Sequence, residues 1–182
     1  MSSPLRISIA KANLATATRL AALGSQTFSE TFAADNSPAD MAAYLAANYG
    51  PAIQLAELQQ PRHTFLLAEM QGELVGFAKV WRDSELGLGA GELAASRLEI
   101  KQLYVAEDWI GTGLGAALMR RILDLAQAEH CTALVLGVWE RNERAKAFYQ
   151  RFGFREIGAH TFTLGQDVQR DLILRKGLAG RA

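Results

Sequence analysis

Two stretches of this sequence set glycines, an asparagine and a tyrosine at spacings that chemistry can use. Residues 106–116 read Ala-Glu-Asp-Trp-Ile-Gly-Thr-Gly-Leu-Gly-Ala, with Gly111, Gly113 and Gly115 at alternate positions before a strongly periodic run. Glycines there let the backbone turn tightly and bring N–H groups close to an anion, and the start of the helix that follows adds positive potential. That is a cradle for a phosphate or pyrophosphate. The competing reading is a tight strand-to-helix turn, for which one glycine would suffice. Two nucleotide motifs come near and miss. Gly111, Gly113 and Ala116 satisfy G-x-G-x-x-G/A, but residues 106–110 separate Val105 from the first glycine, and the next strand has no acid before Glu140. No Lys-Ser/Thr pair follows the glycines, so the Walker pattern fails as well.

The second stretch, residues 136–154, follows an almost wholly apolar run at 133–139, as expected of a strand buried on both faces. Asn142 stands where a helix N-cap belongs and Gly153 where a C-cap belongs. Tyr149 lies about two turns after Asn142, so both can address one groove, whereas Phe148 and Phe152 read as core. Taken alone, Asn142 and Tyr149 would be capping and packing residues. His63, His130 and His160 are scattered and read as surface or capping residues.

The elements that must carry these residues follow from the changing period. Residues 5–9 alternate as a first strand, and residues 13–60 are rich in alanine with Leu14, Leu20, Leu23, Phe28 and Phe32 as larger anchors. Pro38 and Pro51 break that region into two or three helices on one side of a sheet, with Asp35-Asn36-Ser37-Pro38 as a helix start. Residues 64–70 and 73–81 flank Gln71-Gly72 as a hairpin, 83–96 form a loop, and Gly165-Gln166 joins a final pair of strands. A mixed α/β order results. The strand 98–105 changes parity: Leu98 and Ile100 are apolar at even positions, Leu103 and Val105 at odd ones. Either one extra residue near Lys101-Gln102 bulges the strand, or Ile100 points into a second core on the other face.

Composition bounds the function. The 182 residues are 49% hydrophobic, and 19 Lys and Arg balance 19 Asp and Glu. Zero net charge removes broad attraction to nucleic acid or anionic membranes, so neither is expected as a partner. The single cysteine, Cys131, allows no internal disulfide or cysteine-based zinc cluster, and no metal is expected; it begins a buried strand and is a poor covalent acyl carrier. Residues 1–18 carry Arg6 and Lys11 and lack the apolar core of a signal peptide, and no apolar run approaches the ~20 residues that span a bilayer. One cytoplasmic domain over residues 1–182 is expected.

Together the two stretches resemble the GNAT superfamily of N-acetyltransferases, over residues 7–176. Residues 110–115 stand against the family's Q/R-x-x-G-x-G/A, and residues 142–154 against its N-x-x-A-x-x-x-Y-x-x-x-G-F. Ile110 departs from the Gln or Arg that opens the first motif, which weakens side-chain contact with a pyrophosphate but leaves the backbone cradle. The resemblance implies an α/β GNAT fold: a mixed central sheet with a splayed, bulged central strand and helices on both faces. It implies acetyl-CoA as cosubstrate and acetyl transfer to a primary amine by direct attack in a ternary complex. Leu103, Tyr104 and Val105 would then bond the pantetheine arm through their backbone. Ile110, Gly111, Thr112, Gly113, Leu114 and Gly115 would hold the pyrophosphate, Asn142 would contact the pantetheine, and Tyr149 would protonate the departing thiolate. A phenol suits that task because it stays protonated at neutral pH. Glu99 stands where some members place a general base; its other reading is a charge paired with Lys or Arg.

A narrower similarity joins residues 27–44, 136–142 and 158–176 to bacterial polyamine acetyltransferases of the PaiA type, implying a spermidine- or spermine-like acceptor. That group often carries an acid where Lys101 stands here, and a cation there disfavours a polycation. Glu99, Glu107, Asp108 and Glu140 are the candidate countercharges. The alternatives are a protein N-terminal or lysine acetyltransferase, favoured by an open groove, and an acyl-CoA sensor without turnover. The expected partner is a small-molecule amine, and a homodimer is compatible with all three.

Overall fold

The structure, a computed structural model, describes residues 4–91, 93–165 and 167–178. The elements run β1 (Arg6–Ile9), α1 (Leu14–Phe32), α2 (Pro38–Asn48), α3 (Pro51–Leu58), β2 (His63–Met70), β3 (Glu73–Arg82), β4 (Arg97–Val105), α4 (Leu114–Ala128), β5 (Ala133–Trp139), α5 (Glu143–Arg151), β6 (Arg155–Leu164) and β7 (Asp167–Gly177). Local chemistry sets the helix starts. Ser37 Oγ accepts the Asp40 N–H at 3.1 Å with Pro38 in the first turn, and Pro51 opens α3 likewise. Gln71 and Gly72 both have positive φ, as a two-residue hairpin requires. Gly165 has φ 60°, while Gln166 of the expected last turn lies outside the described residues.

Seven strands form one sheet in the order β1-β2-β3-β4-β5-β7-β6. Only the β4–β5 pair is parallel, so the sheet is mixed. Leu20 and Leu23 of α1 cover one face with Phe65, Leu67 and Phe77. On the other face Leu114, Leu118, Met119 and Ile122 of α4 pack with Leu66, Ala78, Leu98 and Leu136, and Tyr149 of α5 joins them. Helix α2 closes the end of the first layer through Met41, which meets Phe28 and Leu164. No helix among the described residues is long and apolar enough to cross a membrane.

The parity change in β4 is a bulge. Lys79 pairs with Gln102 but Val80 pairs with Ile100, so Lys101 is the extra residue. Leu98 and Ile100, and beyond the bulge Leu103 and Val105, therefore all face the same α4-side core. The second-core reading of Ile100 is thereby excluded. Leu118, fully buried at the centre of that core, sets its stability. Leu118→Ala should lower the unfolding free energy by about 2–5 kcal/mol, read as a drop in urea midpoint at unchanged slope.

Candidate active site

Strands β4 and β5 pair only from Arg97–Ala133 to Glu99–Val135 and then part. Beyond that point the β5-facing edge of β4 has no strand partner, so its backbone groups face a cleft of about 1030 Å³. The cleft brings together ten of the twelve residues singled out in the sequence: Glu99, Leu103, Tyr104, Val105, Ile110, Gly111, Gly113, Gly115, Asn142 and Tyr149. Thr112 and Leu114 do not line it. The Thr112 hydroxyl turns back to donate to Trp109 O at 2.7 Å, and the Leu114 side chain is buried beneath the helix start.

At one end of the cleft the chain makes the glycine turn. Gly113 caps α4 with φ 91°, Gly111 has φ 83°, and a Cβ on either would meet only open space. Ala117 is the first residue of α4 whose N–H finds a helical acceptor, Gly113 O at 3.0 Å. The N–H groups of Leu114, Gly115 and Ala116 thus have no acceptor among the described residues and lie at the positive end of the helix. Those donors, beside an open strand edge, fit the pyrophosphate and amide-bearing arm of coenzyme A. Gly115 leaves room for Phe148, whose ring lies 3.5 Å from where its Cβ would be. Asn142 caps α5 by accepting the Ala145 N–H at 3.1 Å through Oδ1, so its Nδ2 stays available to the cleft.

All four tyrosines and all three tryptophans of the chain line this cleft. Tyr149 is buried against Phe148 and Phe154, and its hydroxyl has no hydrogen-bond partner among the described residues. Burial, with Tyr104 nearby, pushes its phenol well above the ordinary value, so it stays protonated. Tyr104 and Tyr49 share a hydrogen bond at 3.2 Å, and Gln102 Nε2 donates to Tyr49 Oη at 3.2 Å. Burial raises both phenols, and burial with Tyr104 and Asp171 nearby takes Tyr44 to about 12.

Charged groups beside the bulge are paired. Glu99 accepts from Ser84 Oγ at 2.7 Å on one oxygen and from Lys101 Nζ at 2.9 Å on the other. Lys79, almost fully buried on β3, is ion-paired with Glu57. Of the other acids considered for this site, Glu140 pairs with Arg170 at 3.1 Å, and Glu107 and Asp108 are exposed away from the cleft. His63 is a cleft residue, not a surface one. Burial, then the Lys79 charge, pushes its imidazole below its ordinary value of about 6.5. The unfolded chain therefore takes up that proton first, so stability falls as pH drops below about 6.5 toward the lowered native value. His63→Gln should flatten this fall, seen by comparing urea midpoints at about pH 7.5 and about pH 5.5.

The wall facing the fork was not legible as a site. Phe28 and Phe32 of α1, Tyr44 of α2, Phe162 of β6 and Trp139 of β5 form a continuous aromatic surface, with centroids 4.4–5.7 Å apart. His160 and Asp171 also line the cleft, His160 as an exposed residue. A second hollow of about 410 Å³ shares Trp139 and His160 with the cleft and is lined also by Asp35, Glu140, Asp167, Arg141 and Arg170.

Residues 26–154 match the family model described as the acetyltransferase (GNAT) family. The chain is 34% identical over 157 residues to an uncharacterized N-acetyltransferase of Lactobacillus delbrueckii subsp. lactis, covering 86% of this chain and 89% of that protein. It is 30% identical over 93 residues to the spermine/spermidine N(1)-acetyltransferase of Bacillus subtilis, covering 50% of this chain and 59% of that protein. The crystal structure of the PaiA N-acetyltransferase of Thermoplasma acidophilum, in complex with coenzyme A, superimposes with a TM-score of 0.75 at 19% identity, over 95% of this chain and 99% of that one.

Proposed function

Since the chain belongs to the acetyltransferase (GNAT) family and is an acetyl-CoA-dependent N-acetyltransferase, we propose that its acceptor is a primary amine, a polyamine foremost, attacking directly in a ternary complex. The observation that carries this reading is the meeting of three features on one cleft: the parted β4–β5 fork, the donor-rich glycine turn and the buried Tyr149. Acetyl-CoA supplies an activated thioester when bound. The free N–H groups at Leu114, Gly115 and Ala116 would hold its pyrophosphate, with Gly111 and Gly113 giving the turn its shape and Ile110 and Thr112 framing it. The open edge at Leu103, Tyr104 and Val105 and the Asn142 amide would align the pantetheine arm. Tyr149 would donate its proton as negative charge develops on sulfur. Glu99, engaged on both oxygens, would fix Lys101 at the bulge; to act as a base it would have to exchange the Lys101 contact for the amine.

The neighbouring hollow supports an extended acceptor through Asp35 and Asp167, which line it together with Arg141 and the paired Glu140 and Arg170. Purified protein should release coenzyme A from acetyl-CoA with spermidine or spermine, and less with amino acids or a lysine peptide. Lys101→Glu should raise kcat/KM for spermidine, by removing a cation beside the fork. Acetylation of the peptide in place of the polyamines would reverse the assignment of the acceptor, and failure to bind acetyl-CoA would defeat the site.

A further inference from the structure

Trp139, Asp171 and His160 are direct cross-strand neighbours: Trp139 pairs with Asp171 between β5 and β7, and Asp171 with His160 between β6 and β7. Paired residues share a face of the sheet, so the three side chains stand in a row on the face that carries α1. Two residues before Trp139 on that face is Gly137, the first such position on β5 beyond the fork. A Cβ on Gly137 would lie 3.0 Å from His160 Nε2 and 3.6 Å from Asp171 Oδ2. Both polar atoms therefore overhang the one bare spot of backbone next to the fork, and a side chain there would take up that space.

Neither group is used by the fold. Asp171 is half-buried, yet it has no hydrogen bond and no ion pair among the described residues, and burial pushes its carboxyl up while His160 works against that shift. His160 Nδ1 lies 3.2 Å from Thr161 O. A carbonyl only accepts, so this partner assigns the proton to Nδ1 and leaves a lone pair on Nε2, the atom over Gly137. Two cations stand in the surroundings: Arg170 is held by Glu140, and Arg141 lies over the Trp139 ring at 6.0 Å. Tyr44 from α2 is the other titratable neighbour, raised in part by the Asp171 charge. Phe32 and Tyr44, beside Trp139, supply aromatic faces of the kind that hold an ammonium group.

We propose that Asp171 and His160 form the acceptor-amine site, in which the carboxylate holds the substrate's ammonium group and His160 Nε2 takes its proton. The inference rests on the N-acetyltransferase reading above and adds to it the groups that receive the amine. The ammonium N–H bond breaks as the Nε2–H bond forms, and the imidazolium, solvent-exposed on its far side, returns the proton to water. The freed lone pair attacks the acetyl carbonyl carbon and the carbon–sulfur bond breaks with its electrons going to sulfur. Of the two protons the nitrogen sheds, one leaves through His160. The other leaves the nitrogen of the tetrahedral adduct as the carbon–sulfur bond breaks and, through water, restores the Tyr149 phenol that has protonated sulfur.

The test is histidine-labelled NMR of the protein with coenzyme A present, titrated with butylammonium as the probe. Only three histidines contribute, and His160→Gln assigns one of them. His160 should show the Nδ1–H tautomer and a saturable shift on titration, with His130 unmoved. Asp171→Asn should weaken the apparent butylammonium affinity about 10- to 100-fold, as expected for loss of a charge-assisted hydrogen bond. Gly137→Ala, a second variant on unstrained strand backbone, should weaken it too by filling the spot. With spermidine, His160→Gln should lower kcat about 100-fold with the KM for acetyl-CoA unchanged. The proposal is overturned if His160 carries its proton on Nε2, if butylammonium produces no saturable shift, or if the apparent affinity is unchanged by Asp171→Asn. Coenzyme A binding is scored separately by calorimetry: its absence defeats the cofactor assignment and leaves the ammonium titration of the free protein to judge this site.

Discussion

Tyr149→Phe should cut kcat by about 10²- to 10³-fold while leaving the Kd for acetyl-CoA within about twofold. The ring stays packed on Phe148 and Phe154, and the lost hydroxyl breaks no hydrogen bond to a described residue, so folding is spared. What disappears is a proton donor at the fork. Burial raises that phenol well above its ordinary value, so at neutral pH Tyr149 can serve as an acid and not as a resting base. Steady-state rates with spermidine, together with calorimetry of acetyl-CoA binding, separate the two effects. An unchanged kcat would mean that solvent protonates the thiolate. If no amine is turned over by the wild type either, the acceptor lies outside the amines tried.

Gly113→Val should weaken coenzyme A binding by about 100-fold and lower Tm, for two reasons that act at one atom. A β-branched residue at φ 91° is strained by about 1–3 kcal/mol. Its side chain would also enter the open space in front of the free N–H groups of Leu114, Gly115 and Ala116. Thr112→Ala is the matched control: its hydroxyl bonds only within the turn, so coenzyme A affinity should change little. Calorimetric Kd values for both variants decide the matter. Equal affinities would show that the pyrophosphate is held somewhere other than this turn.

Some of this site was legible because its signals are local. Parity marked the place near Lys101-Gln102 where a bulge could lie but left a second core behind Ile100 equally open, and only the pairing of β4 with β3 decides between them. Ser37-Pro38 and Asn142 announced helix starts through capping chemistry that acts over three residues. The acceptor side was not legible, and the reason is equally physical. Phe28 and Phe32 stand four apart on a helix, the spacing of a core face, and nothing in a single chain distinguishes rings that meet a core from rings that wall a cleft. His160 and Asp171 meet through the register of β6 on β7. That register depends on a shift between Glu156 and Gly158, and moving it by one residue would turn His160 to the opposite face. Glu99 shows the limit of analogy: its position was anticipated, but its ties to Ser84 and Lys101 belong to the tertiary structure.

The gathering of every tryptophan and tyrosine around one cleft has an optical consequence. Nearly all of the near-ultraviolet absorption and emission of this molecule comes from the walls of its binding site, so ligand entry should be visible without any label. The same distribution biases a melting curve. Emission will follow the opening of the cleft, whereas far-ultraviolet circular dichroism follows the backbone throughout, and two-state behaviour requires the two curves to coincide. An emission midpoint lying below the dichroism midpoint would mean that the fork loosens while the sheet is still intact.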